Sequence, residues 1–152
     1  MTSRLTAFPT GMPVQIAVVD TGPLVAAMDQ DDPRHEASRN ALEMGGVVHV
    51  VPAMVIAEVL YFIGRRLGPE VEARFLAGIG EMDVRGPLPE DWGRIGELVS
   101  QYRAFPLGGI DASVVALAER LDTDLLITLD RRHFGAIKPR HCDGFTLLPT
   151  AA

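Results

Sequence analysis

LLITLDRRHF, residues 125–134, decides how the rest of the chain is read. An apolar run ends in Asp130, and Arg131, Arg132 and His133 follow at once. A short, nearly continuous apolar run bounded by polar residues fits a strand covered on both faces, and such strands belong to parallel sheets flanked by helices. Asp124–Leu129 is expected to be that strand and Arg131–Phe134 a short turn or helix. A carboxylate at the end of a buried strand then needs a reason.

Working outward, the same grammar recurs. Ile16–Val19 is an apolar run stopped by Asp20, and Thr21–Met28 reads as a helix with Pro23 tolerated in its first turn. A polar turn at Asp29–Pro33 leads to a helix over Arg34–Met44, which Gly45 and Gly46 end. Val47–Val51 is β-branched and strand-like. Pro52 opens a long helix to Leu67, closed by Gly68. Pro69–Gly80 reads as helix and Glu81–Arg85 as an edge strand. Pro87–Ala104 reads as helix, with Trp92, Ile95, Leu98, Val99 and Tyr102 at core-like spacing. Pro106, Gly108 and Gly109 break the chain. Ile110–Leu121 is then helical, with Val114, Leu117, Ala118 and Leu121 on one stripe, and Gly144–Leu148 is a last strand. Alternating strands and helices indicate a mostly parallel sheet with helices on both faces. The working site of such a sheet lies beyond the carboxyl ends of its strands, where the winding reverses.

The chain has 152 residues, 47% hydrophobic and 22% charged, as expected of one globular domain. Residues 1–14 read as a flexible extension and 15–149 as the domain. Aromatic content is 6% and net charge −6, which argues against a broad basic surface for nucleic acid. It leaves room for a nuclease whose acidic ligands add negative charge. The single cysteine, Cys142, has no internal partner, and a reducing cytoplasm is the simplest setting. No stretch approaches the ~20 apolar residues of a membrane span.

Four acids stand out. Asp20 and Asp130 end strands, and Asp111 opens a helix after a Gly-Gly turn; each equally suits a helix N-cap. Glu58 lies in PAMVIAEVLYFIGRRL with Met54, Val55, Tyr61 and Phe62 one turn away and no cationic neighbour. A carboxylate on such a face is costly unless it is compensated or reaches solvent at the helix edge. If Ile16–Val19 and Leu125–Leu129 are neighbouring central strands, all four acids converge at one end of the sheet. Clustered anions repel unless a cation joins them, and an all-oxygen donor set suits Mg²⁺ or Mn²⁺. Thr128 shares the strand face of Asp130 and can orient a carboxylate. Thr21 and Ser113 are candidate supports, or simply local helix-start hydrogen bonders.

VVDTGPLVA, VIAEVLYF and GGIDASVVALAERLDTDLLITLDRRHF together resemble the PIN domain, and specifically the toxin member of VapBC toxin–antitoxin pairs. The resemblance runs from about Ile16 to Leu148. It implies a three-layer α/β/α fold with a five-stranded mostly parallel sheet. It also implies metal-dependent endoribonuclease activity and an acidic quartet that falls on Asp20, Glu58, Asp111 and Asp130. An RNA substrate, a small antitoxin lying across the active-site groove, and homodimer formation are implied as well. Arg65, Arg66, Arg131, Arg132 and His133 are candidate contacts for RNA or partner, and Ala57–Phe62 a candidate antitoxin surface. Other readings stay open: a PIN nuclease of RNA processing, an aspartyl-phosphate phosphotransferase built on Asp20 with Lys138 as its cation, or a module that binds without cutting.

Overall fold

The computed structural model describes residues 14–151; the extension expected over residues 1–14 lies almost wholly outside them. The described residues form strands β1 (Gln15–Val19), β2 (Val47–Pro52), β3 (Asp83–Arg85), β4 (Leu125–Ile127) and β5 (Thr146–Leu148). Between them run helices α1 (Thr21–Met28), α2 (His35–Leu42), α3 (Ala53–Arg66), α4 (Pro69–Ile79), α5 (Asp91–Gln101), α6 (Gly109–Arg120) and α7 (Arg131–Ala136). The sheet order is β3-β2-β1-β4-β5, and every pairing is parallel.

Ala17, Val18 and Val19 are all fully buried, as are Leu126 and Ile127. Successive strand residues point to opposite faces, so both faces of the sheet are covered and the architecture is α/β/α. The winding runs outward from β1 through β2 to β3, then restarts at β4. The reversal therefore falls between β1 and β4, which pair as Ala17↔Leu125, Val18↔Leu126 and Val19↔Ile127. The two strands expected to be central neighbours are central neighbours.

α3 buries Val55, Val59 and Ile63, an i, i+4, i+8 row, and ends at Gly68 in the left-handed region, φ 87°. α6 is enclosed more fully than its expected stripe, since every residue from Ala112 to Ala118 is buried. Arg94 on α5 grips Glu119 on α6 through Nε and Nη2, at 2.9 and 2.8 Å, and Arg120 reaches Asp91 at 3.1 Å. These ion pairs explain a departure from the sequence reading. α5 starts at Asp91, not Pro87, and turns Asp91, Ile95 and Leu98 inward. Trp92 and Val99, expected in the core, are 53% and 38% exposed.

Several elements are shorter than the sequence suggested. α2 begins at His35 because Arg34 and Asp32 tie up the preceding turn. Pro52 closes β2 instead of opening the helix. Pairing in β4 stops at Ile127, so Asp130 sits three residues past the strand; the Thr128 N–H still donates to the Leu148 carbonyl, at 2.8 Å.

Candidate active site

Asp20 follows β1 directly and is 5% exposed. Its backbone N–H donates to the Ile127 carbonyl, at 2.9 Å, which fixes the residue against β4. The carboxylate makes no side-chain capping hydrogen bond of ordinary geometry to α1, although the adjacent Thr21 amide still favours its charged form. Oδ2 accepts from the Thr128 hydroxyl, at 2.9 Å, while Oδ1 is buried with no hydrogen-bond partner. A buried, unpaired carboxylate oxygen is rare and costly.

Thr128, fully buried, links two acids. Its Oγ1 donates to Asp20 and accepts from the Asp130 N–H, at 3.0 Å. Asp130 does cap its helix: Oδ1 accepts from the His133 N–H, at 3.0 Å. The His133 ring also lies 2.9 Å from Oδ2 through Nδ1. Cap and site are therefore compatible in one residue. Asp111 is in the first turn of α6, and Glu58 is half-buried on α3.

All four acids line one cleft of about 470 Å³ at the carboxyl end of the sheet, and their charges are felt mutually. Burial raises Asp20 to about 7, with Asp111 and Glu58 adding to the effect and the Thr21 amide and Thr128 hydroxyl opposing it. Burial also raises Asp111 to about 6, helped by Asp130 and Glu58 and opposed by His133. Two carboxyls that burial raises toward neutrality, lining one cleft, make it the candidate functional site. Among the described residues no group of three or more Asp, Glu, His or Cys side chains stands close enough together to hold a metal ion. The donors available are nevertheless all oxygens, and the unpartnered Asp20 Oδ1 is an acceptor with nothing to accept from. That donor set fits a hard divalent cation.

The supporting residues divide. Thr21 lines the cleft and is buried, with its hydroxyl unpartnered. Ser113 does not line it: its hydroxyl donates to the Ile110 carbonyl, at 2.6 Å, the local helix-start bond that serine favours. Of the basic candidates, Arg66 lines the cleft, with its guanidinium 4.7 Å above the Phe62 ring. Arg65 lies over Tyr61. Arg131 braces the sheet end, donating to the carbonyls of Leu147 and Pro149. Arg132 and His133 pack against Phe105, with the Arg132 guanidinium 5.1 Å from the ring centre. Lys138 is exposed and absent from the cleft lining, which removes the cation that the phosphotransferase reading needed.

Asp32 and Arg34 line the cleft but escaped the sequence reading, and Phe62, read only as part of a candidate antitoxin surface, lines it as well. Phe62 carried a signal, because Glu58, Phe62 and Arg66 form an i, i+4, i+8 row on one helix face. Gly22 also has a spatial reason. A Cβ there would stand 3.2 Å from the Leu129 Cβ, so glycine lets the Asp20 and Asp130 segments approach each other.

Fold and cleft define an α/β/α domain with a carboxylate site at the switch point of its sheet. The chain belongs to the PIN domain family, whose model matches residues 17–138. It is 33% identical over 135 residues to Ribonuclease VapC26 of Mycobacterium tuberculosis, covering 87% of this chain and 99% of that protein. Among solved structures it resembles VapC20 of Mycobacterium tuberculosis, described as a sarcin-ricin loop cleaving toxin. The TM-score there is 0.71 at 18% identity, over 87% of this chain and 100% of the other. It also resembles a DNA-bound VapBC from Salmonella typhimurium, with a TM-score of 0.62 at 17% identity over 89% and 97% of the two chains. At those identities the structural likeness is one of fold.

Proposed function

We propose that this protein is a metal-dependent endoribonuclease, the toxin of a VapBC-type toxin–antitoxin pair, and that residues 15–149 are its single catalytic domain. The observation that carries the reading is the convergence of Asp20, Glu58, Asp111 and Asp130 on one cleft, with the Asp20 Oδ1 buried and unpartnered. We assign these four as the residues that hold Mg²⁺ or Mn²⁺. When bound, a divalent ion lowers the pKa of a water nucleophile and offsets charge developing on the phosphoryl oxygens.

The chain's own residues pre-organise that site. Thr128 fixes which oxygen of Asp20 is occupied and which is free, and it ties the Asp130 backbone to the same point. His133 holds the Asp130 carboxylate from its far side. Glu58 and Asp111 come from helices, so rigid elements set their positions. With Asp20 and Asp111 raised toward neutrality, protons compete with the cation, and occupancy rises with pH.

The partner is a small antitoxin that covers the cleft; the solved structures whose fold this chain shares include a toxin–antitoxin complex. Exposed Tyr61 and the neighbouring Arg65 of α3 supply an amphipathic surface beside the acids. A cytoplasmic homodimer is the expected assembly; among the described residues no helix is long and apolar enough to cross a membrane. The decisive experiment is cleavage of total cellular RNA by purified protein with Mg²⁺, Mn²⁺ or EDTA, beside Asp20→Asn. Discrete fragments that require metal and vanish in the variant establish the activity. Cutting that survives in the variant refutes the assigned site.

A further inference from the structure

We propose that Arg34 and Arg66 form a phosphate-binding rim that seats single-stranded RNA against the acidic cleft, with Phe62 as the apolar support beneath Arg66. The inference rests on the nuclease reading and adds residues that determine how substrate is held.

The electrostatic problem comes first. The cleft is lined by five carboxylates, those of Asp20, Asp32, Glu58, Asp111 and Asp130, in a chain of net charge −6. A polyanion needs cations close by to approach such a surface. The cleft lining holds two, Arg34 and Arg66. They come from different elements, the turn before α2 and the last residue of α3, and both line the cleft.

Their geometry suits phosphate. Asp32 holds Arg34 by Nε and Nη2, at 3.1 and 3.2 Å, which fixes the plane of the guanidinium. The Nη1 side is left to donate, and the side chain is 57% exposed. A pre-oriented guanidinium edge is the donor pair that matches phosphate oxygens. The Arg66 guanidinium carbon stands 4.7 Å from the Phe62 ring centre, a contact that restricts its rotamers and leaves its outer side for a phosphate or a stacked base. Asp32 feels both arginines: its hydrogen bonds to Arg34 are the main cause that lowers its pKa, and the Arg66 charge contributes. Asp32 thus holds Arg34 directly, and Arg66 lines the same cleft near it. Three other arginines have other work. Arg131 serves carbonyls of the sheet end, while Arg94 and Arg120 sit in ion pairs between helices.

The test measures RNA binding apart from cutting. Asp20→Asn protein is titrated with fluorescent random-sequence single-stranded RNA in Mg²⁺, and anisotropy is followed across a salt series. Arg34→Ala or Arg66→Ala in that background is expected to weaken binding. Each should flatten the plot of log affinity against log salt by about 0.7, the contribution of one phosphate contact. Arg34→Lys keeps the charge and should keep the slope. Arg74→Ala, which lines a separate groove, should match the parent. In otherwise wild-type protein, Arg66→Ala should raise KM and leave kcat near its parent value. Slopes unchanged in both alanine variants, with wild-type cleavage of RNA intact, would overturn the rim and leave the nuclease standing. A wild-type protein that cuts no RNA with either metal, and an Asp20→Asn protein that binds none, would overturn both.

Discussion

Replacing Asp20 with asparagine should abolish activity and, without metal at alkaline pH, make the protein more stable. Asp20 has an ordinary pKa of 3.8 that burial raises to about 7. Between those values the folded protein keeps a proton that the unfolded chain has released, so stability falls as pH rises across that window. Above it the ionised carboxylate has lost about 4 kcal/mol, at about 1.36 kcal/mol for each tenfold change in proton affinity. Asparagine removes that burden. It can keep the Thr128 bond through its oxygen, but it places an amide N–H₂ where Oδ1 now has no partner, which costs about 1–3 kcal/mol. The net gain is about 1–3 kcal/mol at about pH 8, and it shrinks to nothing or reverses near about pH 5, where wild-type Asp20 is protonated in the fold. Urea unfolding in EDTA at the two pH values measures it. A gain that is absent at the higher pH, or equal at both, would show that Asp20 is not a buried charge held for a ligand. Adding Mg²⁺ at a hundred times its Kd should stabilise the wild type by about 2.7 kcal/mol and the variant far less.

Thr128→Val keeps shape but strips the hydroxyl shared by Asp20 and Asp130. It should cost about 2–4 kcal/mol in a denaturant melt, raise the Asp20 pKa further and cut kcat. Gly22→Ala forces a methyl toward Leu129; a loss of about 1–3 kcal/mol is expected, with activity falling more than stability because the Asp130 segment moves. Metal affinity measured by calorimetry should rise with pH through about 6 to about 7, as Asp111 and Asp20 lose their protons. Arg94→Ala breaks the part-buried grip on Glu119 and should lower stability by about 3 kcal/mol, while RNA cleavage per folded molecule stays near wild type.

Much of the site was legible because its acids sit at chain positions with local signatures. An apolar run stopped by Asp20, a Gly-Gly turn before Asp111 and the LITLD strand place three acids at the ends of elements. The pairing of β1 with β4 then follows from two runs that are buried on both faces. What the sequence could not give was anything set by a distant partner. Trp92 and Leu98 have similar claims to the core by spacing; the part-buried pairing of Asp91 with Arg120 rotates the helix and leaves Trp92 outside. Asp32 read as part of an ordinary polar turn and Arg34 as the start of a helix, and only the approach of that segment to the end of α3 turns them into cleft wall. Ser113 looked like a support because it follows Asp111 by two residues, yet its hydroxyl is spent on the Ile110 carbonyl.

The pairing of β1 with β4 also has a consequence in time. Asp20 is fastened by Ile127 and Thr128, more than a hundred residues later in the chain, and Asp130 comes later still. A nascent chain that has emerged only as far as Asp124 carries three of the four acids but no neighbour for β1 on the β4 side, and so no cleft. Such a long-range closure forms slowly compared with local helices, and domains fold as units once their distant segments are present. Synthesis and destructive capacity are thereby separated by the order of the strands: the site assembles only after β4, the late partner of β1, has been made.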